Sequence, residues 1–297
     1  MKLPVIATIR EVLVETSLGG GRYLKAAPFH LLMVATGFAL YLLSAYRSGV
    51  YDWLVLWGFG ISARDGPLAL RLGGPEYWIG LFLILAGLIF AMARWYRLVL
   101  FGERSSLFLD RADRVFFIAW LKVQIIDLAL ALAGALLLVR SVTYSIDLDL
   151  RSSIHLSPGA FSFIFLLFRW VGDLLVAAIK VRIMMLLPGA AIEEQRSLWR
   201  AIWASHGNTW RLVVCDVLLS LPVNVLRVGV LAAASYWSWQ EGAAYGTIAG
   251  GPGLIIVFLL GVPLFLYSHM LQTTLFAVAY REIIGLEGDG ESLEVTA

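Results

Sequence analysis

The sequence has little charge and almost no cysteine. Of its 297 residues only 15% are Asp, Glu, Lys or Arg, where an ordinary soluble domain carries about 25%. The single Cys215 excludes an internal disulfide and a cysteine-held metal cluster. The four histidines, His30, His155, His206 and His269, are scattered along the chain and have no spacing suited to zinc. No glycine-rich loop ends in Lys-Ser or Lys-Thr, so a phosphate-cradling nucleotide motif is absent from the sequence. With 23 bases against 21 acids the net charge is +2, and no basic excess points to nucleic acid. Apolar side chains are what the chain has in excess, at 60% of residues and a mean hydropathy of +0.82. That composition belongs in a bilayer, and it names no reaction.

A chain in lipid must satisfy its backbone hydrogen bonds within each segment, so it crosses as helix or as closed barrel. A barrel would alternate apolar and polar residues, whereas this sequence shows continuous apolar runs. Six runs meet the roughly 20-residue requirement: about Phe29 to Tyr46, Tyr77 to Trp95, Val115 to Val139, Phe161 to Leu187, Leu212 to Ala234 and Leu254 to Tyr280. The expectation is an all-α membrane protein, a six-transmembrane-helix bundle over residues 28–283, with interfacial amphipathic helices. An amphipathic segment at 1–27 precedes the bundle and an acidic tail at 284–297 follows it. Arg10, Glu11 and Glu15 interrupt any secretory apolar run near the start, so this segment is expected to stay on the mature chain. The stretch Tyr51 to Ile61 is too short to span, and its Trp53 and Trp57 suit the interface.

Orientation follows the bases between the runs. Lys2, Arg10, Arg22 and Lys25 precede the first run. Arg94, Arg97, Arg104, Arg111 and Arg114 separate the second and third, and Lys180, Arg182, Arg196, Arg200 and Arg211 the fourth and fifth; Arg281 follows the sixth. The opposite side holds only Arg47, Arg64, Arg71, Arg140 and Arg151. Both termini are therefore expected in the cytoplasm.

Three junctions on the basic side look alike: ARWYRLVLFGE at Ala93 to Glu103, IKVRIMMLLPG at Ile179 to Gly189, and VAYREIIG at Val278 to Gly285. Each places a base at the surface, then an apolar piece, then Gly. The return paths TIREVLVETSLGGGRYLKA and SLWRAIWASHGNTWRLV also match, each an amphipathic segment, a Gly-containing break and an aromatic beside Arg. The arrangement suggests three pseudo-repeated helical hairpins, the last formed by the sixth and first spans. Together with TLFAVAYREIIG, these junctions resemble uncharacterised multi-pass inner-membrane proteins of proteobacteria. These are distantly similar to YciC-type proteins and to the membrane domain of glycerophosphodiester phosphodiesterases. The resemblance implies a helical inner-membrane bundle with no established activity. The phosphodiesterase catalytic domain is not visible in this chain, so its chemistry does not carry over.

Ionisable residues inside spans are costly and raise a functional question by default. In the fourth span Ser162, Arg169, Asp173 and Lys180 follow steps of seven, four and seven and share one face. Asp216, Ser220, Asn224 and Arg227 share a face of the fifth, and His269, Gln272 and Thr273 a patch on the sixth. Counting about 1.5 Å per residue from the basic ends matches Lys180 with Asp216 in depth, Asp173 with Asn224, and Arg169 with Arg227. Lys180 is thus expected to face Asp216, and Asp173 to be shared by Arg169 and Arg227. Asp127 could reach Arg169, and Lys122 should snorkel to the surface. The seam either packs helices together or lines a hydrated path with Asp173 and His269 as titrating groups; Pro222, Pro263 and Gly261 lie beside it.

In the linker from Ala191 to Arg211, Leu198, Trp199, Ile202 and Trp203 form an apolar side opposite Arg196 and Arg200. This is the pattern of a helix lying in the membrane surface, its Arg near anionic lipid. The segment Ile6 to Val14 should lie similarly. Ser205 and His206 are sequence neighbours, which makes no nucleophile-base pair. The polar loop bearing Asp147, Asp149 and His155 reads as a loop. No catalytic, cofactor or metal residue emerges. The expected function is that of a non-enzymatic integral membrane protein, structural or lipid-associated, whose partners are membrane lipids and other membrane proteins. The alternative is a small transporter using the seam.

Overall fold

The computed structural model describes residues 2–48, 75–102, 111–147, 172, 174–192, 197–240 and 256–284. Arg169, Asp173, Arg196, the Tyr51 to Ile61 stretch and the tail from 285 lie outside the described residues. Among the described residues every regular element is helical: α1 (Val5–Ala26), α2 (Pro28–Ser48), α3 (Pro75–Phe101), α4 (Arg111–Asp147), α5 (Leu174–Ala191), α6 (Leu198–Ala204), α7 (Thr209–Gln240) and α8 (Val262–Ile284).

Four of these helices are long and apolar enough to cross a membrane: α3, α5, α7, and α8 with its lead-in from Leu259. In α2 the apolar stretch, Pro28–Tyr41, is shorter. The 37-residue α4 covers the run expected as the third span. Outward faces are oily, as in α7, where Val217, Leu218, Leu221, Val225 and Leu226 are all exposed.

α2 and α3 run antiparallel at unusually close approach. Gly37 faces Gly80, and Gly87 faces the backbone of His30. A Cβ at Gly37 would stand 2.6 Å from the Gly80 carbonyl oxygen, and one at Gly87 the same distance from the His30 carbonyl oxygen. Gly80 and Gly87 are seven residues apart, two helical turns, so they form one groove down α3. Without hydrophobic drive between helices in lipid, such backbone proximity is a main source of association. Val34, Phe38 and Tyr41 of α2 close over Tyr77, Ile84 and Leu88 of α3 on either side of it.

Proline is handled in two ways. α7 continues through Pro222, which sits on an exposed side. Before Pro263 the backbone widens into a π-helix at Val257–Gly261 that leads straight into α8, the kind of local irregularity by which a helix takes in a residue that donates no N–H.

α1 does more than rest on a surface. Thr8, Val12, Thr16, Gly19 and Tyr23 are buried at steps of four, four, three and four, a single stripe that packs the helix along α8, α7 and α3. The Gly19–Gly21 run, expected as a flexible break, is uninterrupted helix. Its use is steric: a Cβ on Gly19 would come within 2.4 Å of the Trp95 ring. The chain breaks instead at Ala27, φ −133° and ψ 43°.

Candidate functional site

The most deeply buried charges are not in the expected seam. They lie where α3 ends and α4 begins. Arg94 and Asp113 are fully buried, with Arg94 Nη2 2.5 Å from Asp113 Oδ2. Arg97 Nη2 stands 3.3 Å from Asp113 Oδ1, and Arg97 Nε donates to the Ala191 carbonyl oxygen at 2.8 Å. That carbonyl is among the last of α5, where helix geometry leaves oxygens without an intrahelical donor. Asp113 occupies the first turn of α4, which favours a carboxylate. Asp113 and Arg97 thus tie α3, α4 and α5 together. Charge assistance and burial make such bonds strong, and make the loss of either partner expensive.

Two further clasps join the same end. Arg182 Nε donates to Thr209 Oγ1 at 2.6 Å, joining α5 to the first residue of α7. Arg281, in the last turn of α8, pairs with Glu11 of α1. Arg97, Arg182 and Arg281 occupy matching positions in the three junction sequences, each four residues after an alanine: Ala93, Ala178 and Ala277. The preceding residues Tyr96, Val181 and Tyr280 are all buried. Between the clasps, Leu186–Ala191 plugs the end with six buried residues, beyond a turn at Met185.

α1 is fastened at both ends. The Leu3 N–H donates to Asn208 Oδ1 at 2.8 Å and the Leu3 carbonyl accepts from Arg211 Nη1 at 2.8 Å. Farther along, Trp95 Nε1 donates to Thr274 Oγ1 at 2.8 Å, and Thr16 Oγ1 lies 3.2 Å from the same oxygen. Thr274 in turn donates to the Met270 carbonyl at 2.7 Å. Tyr23 meets the Trp95 ring edge-on at 5.1 Å, and burial pushes its hydroxyl well above the ordinary tyrosine range, so it stays protonated.

The seam is rearranged from its expected pairing. Lys180 Nζ bonds Asp127 Oδ2 at 3.1 Å and also lies within electrostatic reach of Asp216. α5 borders both partners: its Leu186–Ala191 end packs on α4 and α3, and Arg182 reaches Thr209 of α7. Matched depth is necessary for a pair, but it does not choose between two nearby acids. Asp216 turns toward α8, into a crevice shared with Ser220, Ser268 and Gln272 that is too tight for a water molecule. Its Oδ1 is buried without a hydrogen bond among the described residues. Arg227 Nη1 donates to Asn224 Oδ1 on its own helix at 3.3 Å and lies within electrostatic reach of His269. The His269 ring packs edge-on against Phe265 at 4.5 Å. Lys122 is exposed on α4.

In α6, Trp199, Arg200 and Trp203 all face outward, the two indoles edge-on at 5.8 Å. Ala201 is the inward contact. No group of three or more His, Cys, Asp or Glu among the described residues is placed to hold a metal.

Sequence reasoning missed the Arg94–Asp113 pair because these residues sit where basic loops meet the membrane surface. A signal was present: Asp113 is an acid set between Arg111 and Arg114 in the run RADR, one turn of mixed charge where one sign was expected. Comparison with known protein families, with curated proteins and with solved structures finds no match to this chain.

Proposed function

We propose that the chain is a non-enzymatic integral protein of a bacterial inner membrane, six-span, with both termini and the clasped end in the cytoplasm. In this reading it is a structural or lipid-associated component, similar to the YciC-type proteins that its junctions resemble. Its partners are membrane lipids and other membrane proteins. It is built of three pseudo-repeated hairpins, α3 with α4, α5 with α7, and α8 with α1.

The observation that carries this reading is the equivalence of Arg97, Arg182 and Arg281. Each reaches a polar side chain on the returning helix of its hairpin: Asp113, Thr209 and Glu11. Gathering the bases at this end agrees with cytoplasmic placement. The outward Trp199, Arg200 and Trp203 supply the aromatic and cationic groups of a membrane-surface helix.

The transporter reading draws on the unbonded Asp216 Oδ1 beside Gln272 and Ser268, but a crevice too tight for water favours helix packing. Single cysteines at Ser220, Asn224 and Arg227 in a Cys215→Ser background distinguish the two. A membrane-impermeant maleimide is expected to leave all three largely unlabelled while labelling His206→Cys readily and only from the cytoplasmic side. Labelling along the whole stripe would establish a hydrated path and replace the packing role with transport.

A further inference from the structure

We propose that the groove between the start of α1 and the start of α7 binds one anionic phospholipid, its phosphate held by Arg10 and Arg211. The site deepens the lipid-associated reading above and rests on it. The groove is open, about 990 Å³, with Leu3, Pro4, Ile6 and Val14 as apolar walls and the two arginines at its rim.

Its charge favours an anion. Glu11 also lines the groove, but its carboxylate is taken by Arg281. Arg211 is steadied by one bond, from Nη1 to the Leu3 carbonyl, and a guanidinium has five N–H donors in a planar fork. The remaining donors can meet a phosphate in the two-pronged geometry that arginine makes well. Arg10 is exposed and in no ion pair or hydrogen bond among the described residues. The wall is fixed beforehand, because Leu3 is bonded at both its N–H and its carbonyl.

The occupant is a lipid rather than a free anion because an apolar track leaves the groove. From Arg211 the exposed residues Val214, Leu218, Leu221 and Val225 follow at steps of three, four, three and four, one stripe down α7. A phosphate at Arg211 therefore puts acyl chains along this stripe, with Ile6, 85% exposed, and Val14 beside the glycerol region. Cationic groups at headgroup depth above an apolar face are the usual elements of anionic lipid capture.

The test is native mass spectrometry of the full chain in detergent, titrated with phosphatidylglycerol and, separately, phosphatidylcholine. The wild type should bind phosphatidylglycerol more tightly. Arg10→Gln, which removes no contact within the described protein, should weaken that binding about fivefold, and Arg10→Gln with Arg211→Gln about 25-fold, one increment per arginine. Arg22→Gln with Lys25→Gln, elsewhere on α1, should change nothing. Ile6→Ser with Val14→Ser should also weaken binding, and excess inorganic phosphate should not compete. Unchanged affinity in Arg10→Gln would overturn the site. If the wild type still prefers phosphatidylglycerol in that case, lipid association stands and only this location fails; if it shows no preference, both fail. Competition by inorganic phosphate with no effect of the serine variant would make this a small-anion site. Loss of a dimer peak in the arginine variants would make it a contact between copies. Either result overturns the lipid assignment.

Discussion

Replacing Asp113 with alanine is expected to remove about 3–5 kcal/mol of stability, the typical loss when one partner of a buried ion pair is deleted. The loss is electrostatic. Arg94 is fully buried and Arg97 nearly so, and both point nitrogens at this carboxylate. Without it two guanidiniums remain in a site closed to water, where charge is poorly screened. Since whole folds are stable by only about 5–15 kcal/mol, Asp113→Ala should unfold at much lower temperature or fail to accumulate. The measurement is thermal unfolding of the purified protein in detergent, followed by helical signal and monodispersity. Asp113→Asn keeps an acceptor and should lose less. The triple change Arg94→Met, Arg97→Met and Asp113→Leu should recover much of the loss, because a packed apolar replacement of a buried ion cluster is often neutral or better. Recovery by the triple variant separates a charge effect from a packing one.

Gly80→Val is expected to be the second most damaging change. A Cβ there would lie 2.7 Å from the Gly37 carbonyl oxygen and 2.8 Å from the Tyr41 nitrogen. Both obstacles are backbone, so no side-chain rotation relieves them, and α2 must move away from α3 along the whole groove. Overpacking in a well-filled core costs about 1–3 kcal/mol, and the loss here should reach or exceed the upper figure. Gly229→Ala on α7 is the contrasting control: nothing lies within 4 Å of its Cβ position, so removing a mid-helix glycine should stabilise by about 0.5–1 kcal/mol. Opposite shifts in melting temperature for these two variants check the close approach directly.

Much of the scaffold was legible because it depends on local rules. Runs of apolar residues locate α3, α7 and the end of α8 to within about two turns, although the helices extend past the oily stretch where bases such as Arg97 and Arg281 continue the helical pattern; the sixth run starts at Leu254, well ahead of α8. Neighbour choice was not legible. Lys180 and Asp216 match in depth and stand within electrostatic reach, yet the hydrogen bond of Lys180 goes to Asp127 on α4, a choice between two nearby acids that depth alone does not make. Glycine was misread for a related reason. At Gly19–Gly21 local propensity suggests a break, but the space needed by Trp95 selects glycine while the helix continues. At Gly37, Gly80 and Gly87 the seven-residue spacing on α3 was visible, though its partner on α2 was not. The buried Arg94–Asp113 pair shows the limit most clearly: a base near the membrane surface is ordinarily solvated, and only the convergence of α3, α4 and the Leu186–Ala191 plug removes it from water.

The central claim is that three arginine clasps close the basic end into a ring in which the last helix meets the first. A bifunctional maleimide bridging Glu11→Cys and Arg281→Cys, in a Cys215→Ser background and in native membranes, tests it most directly. The account predicts a circularised chain of altered gel mobility, formed in good yield, and no such product when position 281 is paired with a cysteine at Trp199 on α6. Absence of the cross-link while both cysteines react separately with maleimide would contradict the closed ring and the third hairpin with it.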